Sequence, residues 1–269
     1  MPSEILVVND LLKHLFNVAS YAAPSQLYLA LTSAGVELGS GIGYSRQAIA
    51  FRRAQSREGD YTASVNLGRI VFGPNTDTGA WGLGGFAVYD AATGGNRIAE
   101  AEASFPTVDV DEMLIIRPGQ LAFGMSGGLS QDAPFMISDH ARRRMLDHLF
   151  AGQSYTAPAV YVALAAGFPL ADSEGALAVN EPDGQATGYA RVQQTGWSVA
   201  DYQVTNTSGI AFPEAQADYS ADHFALLDAA TGGNPLAVGP IAGGVELLEI
   251  AEEHAVFETD NLMVELLPS

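Results

Sequence analysis

The sequence predicts a mainly β protein that consists of two similar antiparallel β-sandwich domains, each opened by an N-terminal α-helix. Three observations lead to this prediction. Five landmarks of the sequence occur twice in the same order, short apolar segments alternate with turn residues, and each copy begins with a segment of helical period. The 29 glycines and 13 prolines among 269 residues are typical of a chain with many turns between short strands.

The most specific repeat is the segment Asp-Ala-Ala-Thr-Gly-Gly-Asn, which stands at 90–96 and again at 228–234. The copies of the landmarks are between 133 and 145 residues apart, and offsets that drift only where loops would change length indicate a duplicated domain. The sequence is therefore divided into a first repeat at 1–127, a linker at 128–135 and a second repeat at 136–269. The other four landmarks are His-Leu-Phe, Ser-Tyr-x-Ala-Pro, Tyr-x-Ala-Leu and Gly-Tyr-x-Arg, beginning at 14, 20, 28 and 43 and again at 148, 154, 161 and 188.

Each repeat is expected to open with a helix, because apolar residues recur every three or four positions over 5–16 and 137–150. Ser3 and Ser138 are the candidate N-caps of these helices. A Ser-Tyr-x-Ala-Pro turn ends each helix, and a short strand follows. Further short strands come next, and the two glycines of the seven-residue segment predict a hairpin turn between two of them.

The charge is −19 and is divided unevenly. Residues 1–130 hold 8 Lys and Arg against 12 Asp and Glu, a net of −4, whereas residues 131–269 hold 4 against 19, a net of −15. Such acidity argues against binding of nucleic acid or of an anionic membrane. No apolar run predicts membrane insertion, and no secretory signal is recognised. Cysteine is absent, which excludes disulfides and thiol catalysis and fits assembly in a reducing cytoplasm.

The sequence predicts no catalytic residue, no cofactor site and no metal site. His14 and His148 occupy matched places in an apolar helix, where packed histidines are expected. Asp90 and Asp228 open the repeated turn, where an aspartate bonds nearby backbone amides. No zinc-protease, dinucleotide, P-loop or nucleophile-elbow pattern occurs. The matched arginines of the two Gly-Tyr-x-Arg segments are interpreted as anchors for a carboxylate or a carbonyl group inside the fold.

Together the landmarks resemble a family of small tailed-phage proteins that are usually described as tail-fibre or minor tail proteins. The resemblance covers most of both halves, and the seven-residue turn is its most specific part. It implies a β-rich structural protein of the virion, assembled in the host cytoplasm, with no catalytic residue to transfer. Family members carry one copy, so this chain looks like a tandem duplication.

Two placements on the particle exterior are open. A fibre usually needs a long shaft, and the sequence has neither coiled-coil nor triple-stranded β repeats, which favours a capsid decoration (cement) protein. The alternative is a tail-fibre or minor tail protein with a receptor- or glycan-binding role. An enzyme such as a glycan depolymerase forms a third class, which would need a cleft with two carboxylates. The expected partners are other copies of the chain, with a trimer favoured, and a major capsid or tail protein.

The uneven charge predicts that residues 1–130 make most contacts with the particle while the acidic half faces solvent. An arginine run on the second opening helix is the competing candidate, either as a solvated helix face or as an intersubunit contact. The candidate contact residues are Arg52, Arg53 and Arg57 in the first repeat and Arg142, Arg143 and Arg144 in the second.

Overall fold

A computed structural model describes residues 3–55, 63–125, 136–167, 170–171, 177–247 and 254–266. It is mainly β, with antiparallel sheets, and the two halves fold alike, as the duplication predicts. The linker at 128–135 lies outside the described residues, so the boundaries proposed from the sequence stay a prediction. Within the described part of the chain, no helix has the length and apolar character needed to cross a membrane.

The first repeat holds one helix among eleven short strands in its described residues. In chain order these are β1 (Ser3–Ile5), α1 (Val8–Leu15), β2 (Leu27–Ser33), β3 (Val36–Glu37), β4 (Gln47–Ile49), β5 (Phe51–Arg53), β6 (Ala63–Asn66), β7 (Ile70–Phe72), β8 (Gly85–Tyr89), β9 (Arg97–Glu102), β10 (Leu114–Ile116) and β11 (Ala122–Gly124).

The second repeat follows the same order with small additions. Its elements are β12 (Met136–Ile137), α2 (Asp139–Phe150), β13 (Val160–Ala165), β14 (Leu170–Ala171), β15 (Leu177–Ala178), α3 (Gly184–Thr187), β16 (Val192–Gln194), β17 (Trp197–Ala200), β18 (Gln203–Asn206), β19 (Ile210–Ala211), β20 (Tyr219–Leu227), β21 (Pro235–Leu247), β22 (Val256–Phe257) and β23 (Met263–Glu265).

The sheets of the two repeats correspond, apart from β3 in the first repeat and the two-stranded sheet β14-β15 in the second. The larger sheet has the order β1-β9-β8-β2, with β3 and β4 both paired to β2, and its counterpart has the order β12-β21-β20-β13-β16. The smaller sheet β11-β6-β5 corresponds to β23-β18-β17, and the two-stranded ribbon β7-β10 corresponds to β19-β22. The two halves therefore share one topology, as expected for a duplicated domain.

Aromatic side chains fill the space between the layers. In the first repeat, Phe86 of the larger sheet meets Phe123 of the smaller sheet with ring centroids 5.4 Å apart. In the second, Phe224 of the larger sheet meets Phe257 of the ribbon at 6.0 Å. These contacts have the edge-to-face geometry that aromatic pairs prefer. The inner faces of the sheets therefore pack on each other as in a β-sandwich.

Each opening helix packs on the smaller sheet of the other repeat. Helix α1 lies against β17, where Phe16 meets Trp197 at 5.3 Å between ring centroids. Helix α2 lies against β5 and β6, and Phe150 stacks on Phe123 at 5.2 Å. One cluster of buried apolar residues consequently runs through both repeats. We call this packing of each opening helix on the other repeat the helix exchange; α2 also lies against β21 of its own repeat.

The start of the first helix differs from the sequence prediction. Ser3 is not an N-cap, because Ser3–Ile5 pair with β9 as a strand. Helix α1 begins only at Val8, and no side chain caps it. In the second repeat the predicted cap is confirmed, because the Ser138 side chain accepts a hydrogen bond from the Ala141 amide.

Candidate functional site at the junction of the repeats

A pair of stacked histidines lies where the two helices meet. The rings of His14 and His148 are 4.8 Å apart and within 5° of parallel. The Nε2 of His14 is 2.7 Å from the carbonyl oxygen of Tyr155, and the Nε2 of His148 is 2.9 Å from that of Tyr21. The Tyr21 amide donates to the Nδ1 of His14, which places the ring proton of His14 on Nε2. Both histidines are therefore packed residues of the junction.

The Nε2 contacts of the histidine pair are reciprocal, whereas the Nδ1 of His148 lies 3.1 Å from the carbonyl oxygen of Gln153. The two histidines occupy matched positions, and so do the two tyrosines whose carbonyls they bind. Each tyrosine ring also lies edge-on to the histidine of the other repeat. When residue i binds residue j and j binds i, the two units are related by a twofold axis. The repeats form a pseudo-twofold pair inside one chain, with the axis at the histidine stack.

The matched arginine of the first repeat holds the seven-residue turn. The Nη1 of Arg46 donates to the carbonyl oxygens of Ala91 and Gly94 at 2.8 and 2.6 Å. Its Nε and Nη2 form a two-point ion pair with Glu37, at 2.8 and 2.7 Å. The guanidinium also lies 3.4 Å from the ring centroid of Tyr89. We call this arrangement the arginine clamp.

The second repeat contains the same hydrogen bonds of the arginine clamp, with Leu227 at the place of Tyr89. Arg191 donates from Nη1 to the carbonyl oxygens of Ala229 and Gly232, both at 2.7 Å, and pairs with Glu181 through its other two nitrogens. Both arginine side chains are buried, at 8% and 9% exposure. The structural interpretation of the two arginines is confirmed, since each anchors a carboxylate and two carbonyl groups at once.

The arginine clamp perturbs the acid that it binds. Hydrogen bonds from Arg46 lower the pKa of Glu37 below its usual range, against an opposing effect of burial. Burial and the hydrogen bond to Glu37 raise the pKa of the Tyr44 hydroxyl. Glu37 is therefore held ionised as one member of a structural pair.

The aspartates of the repeated turn act within the turn. The carboxylate of Asp90 accepts from the backbone amide and the side-chain amide of Asn96, at 2.7 and 2.8 Å, and Asp228 does the same with Asn234. Gly95 has a φ of +73°, and a Cβ there would lie 2.3 Å from the Asp90 carboxylate. The turn therefore requires glycine at this position.

The helix exchange brings together arginines that lie far apart in the sequence. Arg53 of β5 pairs with Asp147 of α2. Burial, and then the charges of Arg144, Arg143 and Arg53, act on the pKa of His140 and lower it. Arg53, Arg143 and Arg144 therefore each act on His140, with Asp228 opposing them, and we call these three arginines the basic junction.

The other candidate contact residues fall outside the basic junction. Arg142 is 3% exposed, donates to the carbonyl oxygen of Met125 at 2.9 Å and pairs with Asp139, so we do not carry it into a contact surface. Arg52 points to the opposite face of β5 from Arg53, as neighbouring strand residues do. Arg57 lies outside the described residues.

The pseudo-twofold axis relates the basic junction to a second place, beside Tyr21 of the first repeat, and the charges there are different. The matched positions place Asp10 in the first repeat where Arg144 stands in the second. Burial, together with Asp10 and Asp90, raises the pKa of Tyr21 to about 12. The pKa of Tyr155 is also raised to about 12 by burial and Asp228, whereas Arg144 opposes the shift. A groove of about 690 Å³ beside Tyr21 is lined by Asp10, Asp90 and Asn96, among others.

The sequence patterns predicted the structural roles of the matched histidines, the matched arginines and the repeated turn, but they did not predict the basic junction. In the sequence, Arg53 is about 90 residues from Arg143 and Arg144, and only the packing of α2 on β5 brings these segments together. Among the described residues, no group of three or more His, Asp or Glu side chains is arranged to hold a metal ion.

Comparison with known proteins identifies the relatives of this chain. The family model described as the podophage GP4 fiber I protein gp80 matches residues 3–124 and again residues 136–260. A search among curated proteins finds no match. The two matches fall one on each repeat and together cover most of the 269 residues. The chain therefore belongs to the family of the podophage GP4 fiber I protein gp80, as a tandem duplication of its fold.

Proposed function

We propose that this protein is a non-enzymatic building block of a fibre on the exterior of a podophage virion. The observation that carries the proposal is the helix exchange, which joins two family units through one core. Such a unit is suited to holding partners at a fixed distance and angle. The sequence contains no shaft repeat, which favours capsid decoration. The description of the family favours the fibre. A compact module fits a joint or knob of that fibre.

The use of the polar side chains supports a role without catalysis. The matched histidines bind backbone carbonyls, the matched aspartates bind their own turns, and the matched arginines bind carboxylates and carbonyl groups. These groups are each occupied by contacts within the fold. Side chains that are used in this way stabilise the fold, which supports a structural role.

The basic junction is the docking site that we propose for a neighbouring virion protein. Arg144 is exposed and Arg53 is 48% exposed, within a chain of charge −19. A cluster of arginines on an acidic protein favours a partner with an acidic surface, because opposite charges attract.

Immunogold labelling of intact virions tests the proposed placement. Antibodies raised against the purified protein should decorate fibres, and pre-immune serum provides the control. Label spread over the capsid faces would support the decoration role and overturn the fibre placement. Label that appears only after particles are disrupted would overturn an exterior position altogether.

The groove beside Tyr21 favours glycan binding as a second candidate function. It combines an aromatic ring with carboxylate and amide groups, which is a chemistry that binds sugar hydroxyls. Titration calorimetry with host surface polysaccharide should detect binding that is weakened at least tenfold by Asp10→Ala. The Asp109→Ala variant, at an exposed site, is the matched control. Equal affinity of wild type and Asp10→Ala, or no binding by either, would contradict this role.

A further inference from the structure

The ribbon of the first repeat presents an apolar outer face. Val71 and Ile115 face each other across the ladder, while the neighbouring ladder positions on both strands are buried. Because side chains alternate along a strand, Met113 lies on the same outer face as Ile115. Met113 is 53% exposed and Ile115 is 42% exposed. Large apolar groups that are exposed side by side mark an interaction surface.

Two arginines stand at one end of this apolar face. Arg69 and Arg117 flank the last ladder pair, which joins Ile70 and Ile116. Both arginines are exposed, and neither has an ion-pair partner among the described residues. Leu67, 54% exposed, lies in the turn that leads into the ribbon. The outer face of β7-β10 is therefore apolar with a basic end.

The matched ribbon of the second repeat has the opposite charge. Ile210 pairs with Phe257 in β19-β22 at the ladder position that Ile70 and Ile116 occupy in the first repeat. Counting along the strands from this pair, Glu258 stands at the place of Arg117. Val256, 46% exposed, stands at the place of Ile115. Ala211 and His254 stand at the places of Val71 and Met113, so Val256 is the large apolar group that this face retains, while the charge at its end is reversed.

We propose that copies of this chain associate head to tail, with the outer face of β7-β10 in one copy docked on the outer face of β19-β22 in the next. Each face is complementary to the other and not to itself, because only the acidic end matches the arginine end in charge. A contact between two different faces is heterologous, and it closes into a ring or continues as a filament.

A second copy of the chain is the occupant that the charges favour. Residues 1–130 have a net charge of −4 and carry the basic face, whereas residues 131–269 have −15 and carry the acidic one. The inference deepens the proposed structural role, but it is tested in solution without a virion. Failure of the immunogold experiment would therefore leave it standing.

The test uses two full-length variants, each with one face blocked. Ile115→Glu with Arg117→Glu blocks the first face, and Val256→Arg with Glu258→Arg blocks the second. Sedimentation velocity should show wild-type species heavier than the 28.2 kDa chain and only monomers for each variant. An equal mixture of the two variants should give dimers and nothing larger, because each partner retains one working face.

Controls separate loss of contact from loss of fold. The single exchanges Arg117→Glu and Glu258→Arg should each weaken association, and combining them in one chain should restore it. Arg144→Glu carries the same charge change at the basic junction and should leave the mass unchanged. Circular dichroism should show the wild-type unfolding temperature in every variant. A monomeric wild type at the highest soluble concentration, variants that associate like wild type, or a mixture that stays monomeric would overturn the proposal.

Discussion

Phe150 packs against Phe51 with ring centroids 4.9 Å apart, although the two residues belong to different repeats. Phe150 ends helix α2 and is 4% exposed, and Phe51 begins β5 and is 5% exposed. The contact makes the opening helix of the second repeat part of the core of the first. Stability of the two halves is therefore coupled.

We expect Phe150→Ala to lower the free energy of unfolding by about 3–5 kcal/mol, the cost of a large cavity in a packed core. Because α2 belongs to both halves, the variant and the wild type should each unfold in one transition. The chain has two tryptophans, Trp81 in the first repeat and Trp197 in the second. Fluorescence of Trp81→Phe and Trp197→Phe variants during urea unfolding reports on each half separately.

Val18→Ala is the matched control, because Val18 is 42% exposed and its loss leaves no cavity. It should change the free energy of unfolding by less than about 0.5 kcal/mol. Two tryptophan reporters with clearly different midpoints would show that the halves unfold independently and would contradict the coupling.

The histidine stack should show a measurable coupling energy. His14 and His148 touch each other across the pseudo-twofold axis, so the effects of His14→Ala and His148→Ala on stability should not add. A double-mutant cycle should give an interaction energy of about 0.5–3 kcal/mol, as for residues in contact. The exposed His254→Ala provides the control cycle with His14→Ala. Additive effects in the first cycle would show that the stack contributes no pairwise stabilisation.

Arg46→Lys should destabilise the fold although it keeps the charge. Lysine cannot reproduce the planar fork that binds Glu37 and two carbonyl groups together. We expect a loss of about 1–3 kcal/mol, since several hydrogen bonds to a charged group are lost. Thermal unfolding measures the loss, and Arg69→Lys, at an exposed site without an ion pair, should be neutral. Equal unfolding temperatures of the two variants would refute the role of the arginine clamp.

The ion pair of the arginine clamp should make stability depend on pH. The pKa of Glu37 is lower in the folded protein than its ordinary value of 4.5. Its stabilising contribution is therefore complete above pH 4.5 and is lost as the pH falls through the folded pKa. Glu37→Gln should be less stable than wild type at neutral pH, and the difference should narrow in acid. Urea unfolding at neutral and acid pH measures it; a difference that does not change with pH would contradict the prediction.

Much of the fold could be predicted from the sequence because each landmark occurs in two copies, and the residues around the two copies differ. The turn at 90–96 occurs again at 228–234, so a hairpin that fits both places is well determined. Ser138 was correctly recognised as a cap, since its side chain bonds an amide three residues ahead. Ser3 was wrongly predicted to cap the first helix, because its backbone pairs with β9 as part of a strand. Local patterns do not reveal such tertiary competition.

The helix exchange could not be predicted from the same pattern. The smaller sheets of both repeats present an aromatic residue at the matched place, Phe51 in β5 and Trp197 in β17. An apolar helix face fits either sheet, and periodicity does not say which sheet it meets. The basic junction remained hidden for the same reason, since Arg53 and Arg144 become neighbours only after the exchange.

The pseudo-twofold axis has an evolutionary consequence. A dimer of two identical single-repeat chains would carry the same residue at both junctions, so any substitution would appear twice. Fusion of the repeats in one chain removes that restriction, and Asp10 and Arg144 now give opposite charges to places that the fold treats as equal. The duplicated chain keeps the same fold and the same contacts on both sides of the axis, while the surface residues of each side can change independently to bind a different partner.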